Sequence, residues 1–76
     1  MNLTAGGYLS FYMPGKRPKL ELALTQPRSL RSLLEEIGIP PEEVHLVLVN
    51  GRIADLDEAV VANHDEVRVY SPIDGG

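Results

Sequence analysis

Residues 29–38 read SLRSLLEEIG. Leu30, Leu33, Leu34 and Ile37 recur at i, i+3, i+4 and i+7, which is one apolar stripe of an α-helix. Ser29 stands where an N-cap hydroxyl accepts from an orphan backbone N–H. Gly38 suits the left-handed residue that ends a helix, and Pro40 and Pro41 prevent a restart. The spacing therefore predicts one capped helix with a single buried face.

That face needs a sheet to cover, and the sequence on either side supplies strands. HLVLV (45–49) is apolar on both faces after His45, the pattern of a covered, central strand. Asn50-Gly51 follows it, the strongest short hairpin signal, because a type I′ turn needs positive φ at both positions. Residues 53–61 are weakly patterned and are assigned a short edge strand plus loop. NHDE (63–66) reads as a turn and VRVY (67–70) as a last strand, with Val67 and Val69 on one face. Pro72 ends regular pairing.

Before the helix, YLSFYM (8–13) alternates loosely and reads as a strand, PGKRP (14–18) as a loop, and KLELALT (19–25) as a second strand. Together they predict an N-terminal hairpin. The helix stripe would then pack on Leu9, Phe11, Leu20, Leu22, Val67 and Val69, with Leu46 or Val47 and Leu48 or Val49. The expected architecture is a two-layer α+β domain, one helix on a mixed four- to five-stranded sheet. The expected boundaries are a single domain over 1–76, with residues 1–7 a flexible N-terminus and 72–76 a flexible C-terminal tail.

Composition narrows the function. The chain has 76 residues and begins at Met1, so it is expected to be complete. A domain of this size buries only roughly 60% of the surface its unfolded chain exposes. A formal charge of −4 argues against nucleic acid, which selects a basic face, and favours a basic protein surface. The chain has no cysteine, which excludes disulfides, a thiolate nucleophile and a Cys-based metal site. His45 and His64 have no ligand-spaced companions, so no metal is expected. Asp55, Asp57 and Glu58 read as a solvated loop, with contact to a basic partner as the alternative. Glu35 and Glu36 read as the solvated back of the helix. Nothing resembles a signal peptide or a membrane span, and the expected location is cytoplasmic.

Three stretches, SLRSLLEEIGIP, LVLVNGR and HDEVRVYSPIDGG, resemble the MoaD/ThiS family of small ubiquitin-like sulfur carriers, the third most specifically. The resemblance covers the chain from about Tyr8 onward and implies a ubiquitin-like β-grasp fold. This chain has Ser71 where the family often has a second proline, and Asp74 where it often has a small neutral residue. EEVHLVLVNG also resembles ubiquitin-like domains fused ahead of certain nuclease domains, which need no free Gly-Gly.

The sulfur-carrier resemblance implies that an E1-like enzyme, using ATP, adenylates the Gly76 carboxylate. A sulfur donor then yields a thiocarboxylate, which passes sulfur to an acceptor such as the large subunit of molybdopterin synthase. The chain would be a covalent carrier and not an enzyme, with no bound cofactor. The residues themselves suit this reading. Without cysteine, the main-chain carboxylate is the remaining covalent handle. Gly75 and Gly76, lacking Cβ atoms, can pass through a narrow channel. Tyr12, Arg68, Tyr70 and Ile73 are the expected partner contacts. The first three belong to an open sheet face expected to carry Tyr8, Ser10, Glu21 and Ala23 as well. Two alternatives stand beside it: a ubiquitin-like modifier joined to lysines, and a non-covalent β-grasp interaction module with an idle tail.

Overall fold

The structure, a computed structural model, describes residues 1–72. In chain order the strands are β1 (Asn2–Ala5), β2 (Lys19–Glu21), β3 (Arg28–Ser29), β4 (Leu46–Val49), β5 (Arg52–Ala54), β6 (Val60–Val61) and β7 (Glu66–Tyr70), with α1 at Leu30–Ile37. Five strands form one sheet in the order β2-β1-β7-β4-β5, and β3 pairs with β6 in a separate ladder. The β1–β7 pair is parallel, and the other pairs in the sheet are antiparallel. This is the mixed sheet with one helix that the sequence predicts.

Helix α1 follows its stripe. Leu30, Leu33 and Leu34 are buried and Ile37 packs at the margin. Each fully buried leucine contributes roughly 1.5–3 kcal/mol of transfer free energy. Ser29 Oγ accepts from the Ser32 N–H at 3.3 Å. Gly38 ends the helix at φ 116°, and the Leu34 carbonyl accepts from both Gly38 and Ile39 N–H groups. Ile39, just past the cap, is fully buried. The helix start is tied down by Leu30 N–H donating to Ala59 O at 2.9 Å, continuing the β3–β6 ladder.

The N-terminus corrects two expectations. Residues 1–7 are not a flexible leader: β1 lies between β2 and β7, with Leu3 fully buried and Met1 and Ala5 nearly so. Met1, Leu3 and Ala5 alternate with Asn2 and Thr4, a period-two pattern too short to stand out. The Met1 amino group donates to Leu22 O at 2.6 Å.

The second correction concerns YLSFYM. Gly7–Tyr12 is a 3-10 helix and not a strand, entered through Gly7 at φ 62°. Leu9 and Met13, four apart, are buried, while Phe11 between them is 68% exposed. The spacing that matters there is helical, so Phe11 faces away from the core. The hairpin expected at the N-terminus exists, but its first strand is β1.

Two other assignments shift. The middle strand of the sheet is β7, and β4 lies second from the edge, between β7 and β5. The regular part of the second strand ends at Glu21, although Leu22 N–H still donates to Met1 O and Leu24 N–H to Asn63 Oδ1. The Asn50-Gly51 turn is as predicted, with φ 53° and 82° and Val49 opposite Arg52.

Candidate functional site

Alternation along the strands sorts the sheet into two faces. Leu3, Ala5, Val47, Val67 and Val69 meet α1 and are buried. Their neighbours point to the open face. Register aligns these in rows, because residues directly opposite one another share a face. One row is Lys19, Thr4, Arg68, Leu48 and Ile53. The row below it holds Glu21, Asn2 and Glu66, and the row above pairs Tyr70 with Leu46.

The open face therefore has two halves. Toward β5, Leu46, Leu48 and Tyr70 are half-buried and Ile53 is 78% exposed. Toward β2, a shallow groove runs along β1, lined by the polar side chains of Asn2, Thr4, Lys19, Glu21, Glu66 and Arg68 together with Leu3 and Leu20. The choice between Leu and Val left open in LVLV is decided: Leu46 and Leu48 face outward, Val47 and Val49 inward. Ile53 was missed by the sequence reading. Its signal was present, since a two-residue turn at 50–51 places residue 53 opposite residue 48.

Tyr70 closes β7 where the chain leaves the sheet. Both flanks of this strand end are held: Gly6 N–H donates to Val69 O, and His45 N–H to Tyr70 O, each at 2.8 Å. The Tyr70 ring lies over Gly6 so closely that a Cβ at residue 6 would overlap it. Ser71 is buried and Pro72 exposed. Of the expected site residues, Arg68 and Tyr70 thus share the open face. Ile73, Gly75 and Gly76 lie outside the described residues.

Tyr12 does not join the open face. It sits at the end of the 3-10 helix, off the sheet, as do Tyr8 and Ser10, because the chain leaves the sheet at Gly6–Gly7. The Tyr8 hydroxyl donates to Glu43 Oε2 at 3.1 Å. Its pKa is raised, by desolvation first and then by this bond to a carboxylate. Ala23 lies beyond the end of β2, leaving Glu21 as the residue of that strand on the open face.

The acidic residues near the helix have internal partners. Asp57 Oδ1 accepts from Arg31 Nη1 at 2.6 Å, and Glu36 Oε2 from Arg28 Nη2 at 2.6 Å. The Asp55 carboxylate accepts from the Asp57 N–H. At the opposite end of the sheet from Tyr70, Asp65 joins two turns. Its carboxylate accepts from Asn50 Nδ2 at 2.9 Å and from Ala62 N–H at 2.8 Å. These bonds hold its pKa below the usual aspartate value. Among the described residues, no group of three or more His, Asp or Glu side chains could hold a metal ion. No helix there is long and apolar enough to cross a membrane.

A parallel β1–β7 pair at the middle of a five-stranded mixed sheet, grasping one helix, defines a ubiquitin-like β-grasp domain. The chain belongs to the Mut7-C ubiquitin family, whose model matches residues 7–74. No curated protein matches the chain.

Proposed function

We propose that this ubiquitin-like protein is a small sulfur carrier. The Gly76 carboxylate attacks the α-phosphorus of ATP on an E1-like enzyme, releasing pyrophosphate. A sulfur donor then displaces AMP from the acyl adenylate to leave a thiocarboxylate. The sulfur goes to an acceptor in cofactor biosynthesis, with the large subunit of molybdopterin synthase the favoured one. The chain is the covalent substrate, and the activating partner supplies the catalysis, because a free carboxylate is a poor electrophile.

The observation that carries this reading is the position of the Gly-Gly pair. Five residues separate Tyr70, the last residue of the middle strand, from Gly76. A short arm on a strand held from both sides can be aimed by docking the sheet beside it. The apolar half of the open face, with Leu48, Ile53 and Tyr70, is a platform for that docking, and Tyr is a favoured interface anchor.

One observation favours a second reading. The family match ends at residue 74, so Gly75 and Gly76 fall outside what defines the family. A non-covalent interaction module needs the open face and no reactive tail. Intact mass spectrometry of the protein incubated with an E1-like enzyme, ATP and a sulfur donor separates the two. Replacement of one oxygen by sulfur at Gly76 is the expected result. Tail–lysine adducts would point to a protein modifier, and an unmodified chain under these conditions leaves the interaction module.

A further inference from the structure

The chain carries seven Lys and Arg residues against eleven Asp and Glu, and they are not evenly spread. On the helix side, Arg28 and Arg31 are neutralised by Glu36, and by Glu35 and Asp57. Arg17, Lys19 and Arg68 on the open side, and Lys16 in the turn just before them, are exposed and form no ion pair among the described residues. Lys19 and Arg68 flank Thr4 in one row, about 10 Å apart across two strand spacings. Arg17 is extended (φ −93°, ψ 145°) two residues before Lys19, and Pro18 O accepts from Ala5 N–H at 2.7 Å. Arg17 therefore continues the same face toward Tyr70 and the tail exit.

The turn that presents these cations is itself unusual. Gly15 and Lys16 both have positive φ, 66° and 55°, and Arg17 N–H donates back to Pro14 O at 3.4 Å. This is the φ pattern of a type I′ turn, whose second central position favours glycine or asparagine. A lysine there is conformationally costly, and strain kept at an exposed turn marks a residue held for its side chain. The unpaired cation cluster and the strained lysine are independent observations that meet at one place.

We propose that Lys16, Arg17, Lys19 and Arg68 form a docking site for a carboxylate-rich surface on a protein partner, beside the point where the tail leaves the fold. The site does not depend on Gly76 being activated. The partner's class follows from charge layout. Glu21 and Glu66 close the cluster two residues further along β2 and β7, in the same groove. A nucleic-acid backbone needs a continuous cationic track and would be repelled there. A discrete acidic patch on a protein fits a cationic area bounded in this way.

The test uses isotope-labelled full-length protein titrated with an oligoglutamate peptide and, separately, an oligouridylate of equal charge. The peptide is expected to shift amide resonances of Lys16, Arg17, Lys19 and residues 67–69. The Arg17→Glu variant should weaken it roughly fivefold or more, while Arg52→Glu, the same charge change outside the cluster, leaves affinity within about twofold. Lys16→Gly should raise the melting temperature by roughly 2–6 °C by relaxing the turn, and still bind the peptide more weakly. Absence of shifts at these residues, equal weakening by Arg52→Glu, tighter binding of the oligouridylate to the same residues, or a Lys16→Gly variant that melts lower or binds unchanged would each overturn the proposal.

Discussion

Leu3, Val47, Val67 and Val69 line one face of the sheet and are at most 3% exposed. Thr4, Arg68 and Leu48, each adjacent in sequence to one of these, line the other together with Ile53 of β5. The first face is a packing solution, in which each side chain fills space left by α1 and the 3-10 helix. The second is only partly explained by folding. It holds unpaired cations at one side and an exposed isoleucine at the other, neither of which the core requires. The contrast separates residues that make the fold from residues the fold displays, and substitutions at the two faces should part company in the same way.

The largest effect is expected at the packed face. Leu3→Ala removes a fully buried side chain between β2 and β7 and should cost about 2–5 kcal/mol. A domain of this size has a total stability of only about 4–11 kcal/mol. Urea denaturation should therefore show a much lower midpoint or a largely unfolded chain. A variant as stable as the parent would mean that the N-terminal segment is not the strand that holds β7.

Gly6→Ala comes next. Its φ of −93° suits any residue, so the cost is purely steric: the new Cβ must displace the Tyr70 ring. About 1–3 kcal/mol is expected. The double variant Gly6→Ala/Tyr70→Ala should lose less than the sum of the two single losses, because the clash disappears with the ring. Additive losses would show that the contact does not matter.

Both positions lie where the sequence was not legible, in contrast to the helix and the β4–β5 turn. Helix α1 was readable because four apolar residues at helical spacing lie between a capping serine and a glycine. The β4–β5 turn was readable because Asn-Gly chemistry is local. Strand β1 was hidden because a four-residue strand has too few alternations to distinguish it from a leader. The 3-10 helix was hidden because Leu9, Phe11 and Met13 fit a period of two as easily as the Leu9–Met13 spacing that burial selected. Arg68 and Tyr70 were placed on a common face by alternation alone. Tyr12 was misplaced because its face was inferred from a strand that does not form. Lys16 could not have been recognised from sequence, since its significance lies in a backbone angle.

A smaller loss is expected at Asp65, which ties the β4–β5 turn to the start of β7. Asp65→Ala should cost about 1 kcal/mol in lost hydrogen bonds. The folded-state pKa is depressed, so the unfolded state binds the proton more tightly. The stabilisation is therefore full above the ordinary aspartate value of about 4 and is lost as pH falls through the lower folded value. Thermal melts across this acid range should converge for parent and variant. A difference that persists at the lowest pH would assign the loss to packing instead.

The smallest effect on stability, and the sharpest test of the contrast, is expected at Ile53. Ile53→Thr keeps a β-branched side chain on an edge strand, so strand propensity is preserved. It removes only apolar surface that is already exposed. The melting curve should move by no more than about 0.5 kcal/mol equivalent. If the open face is where an activating partner docks, the same change should weaken that complex by roughly tenfold, as loss of an apolar contact at an interface centre does. Isothermal titration against the E1-like enzyme reads this directly. A variant that melts normally and binds normally would remove Ile53 from the docking surface while leaving Arg68 and the basic turn to be judged separately. A variant that melts several degrees lower would move Ile53 to the side of the fold that packs.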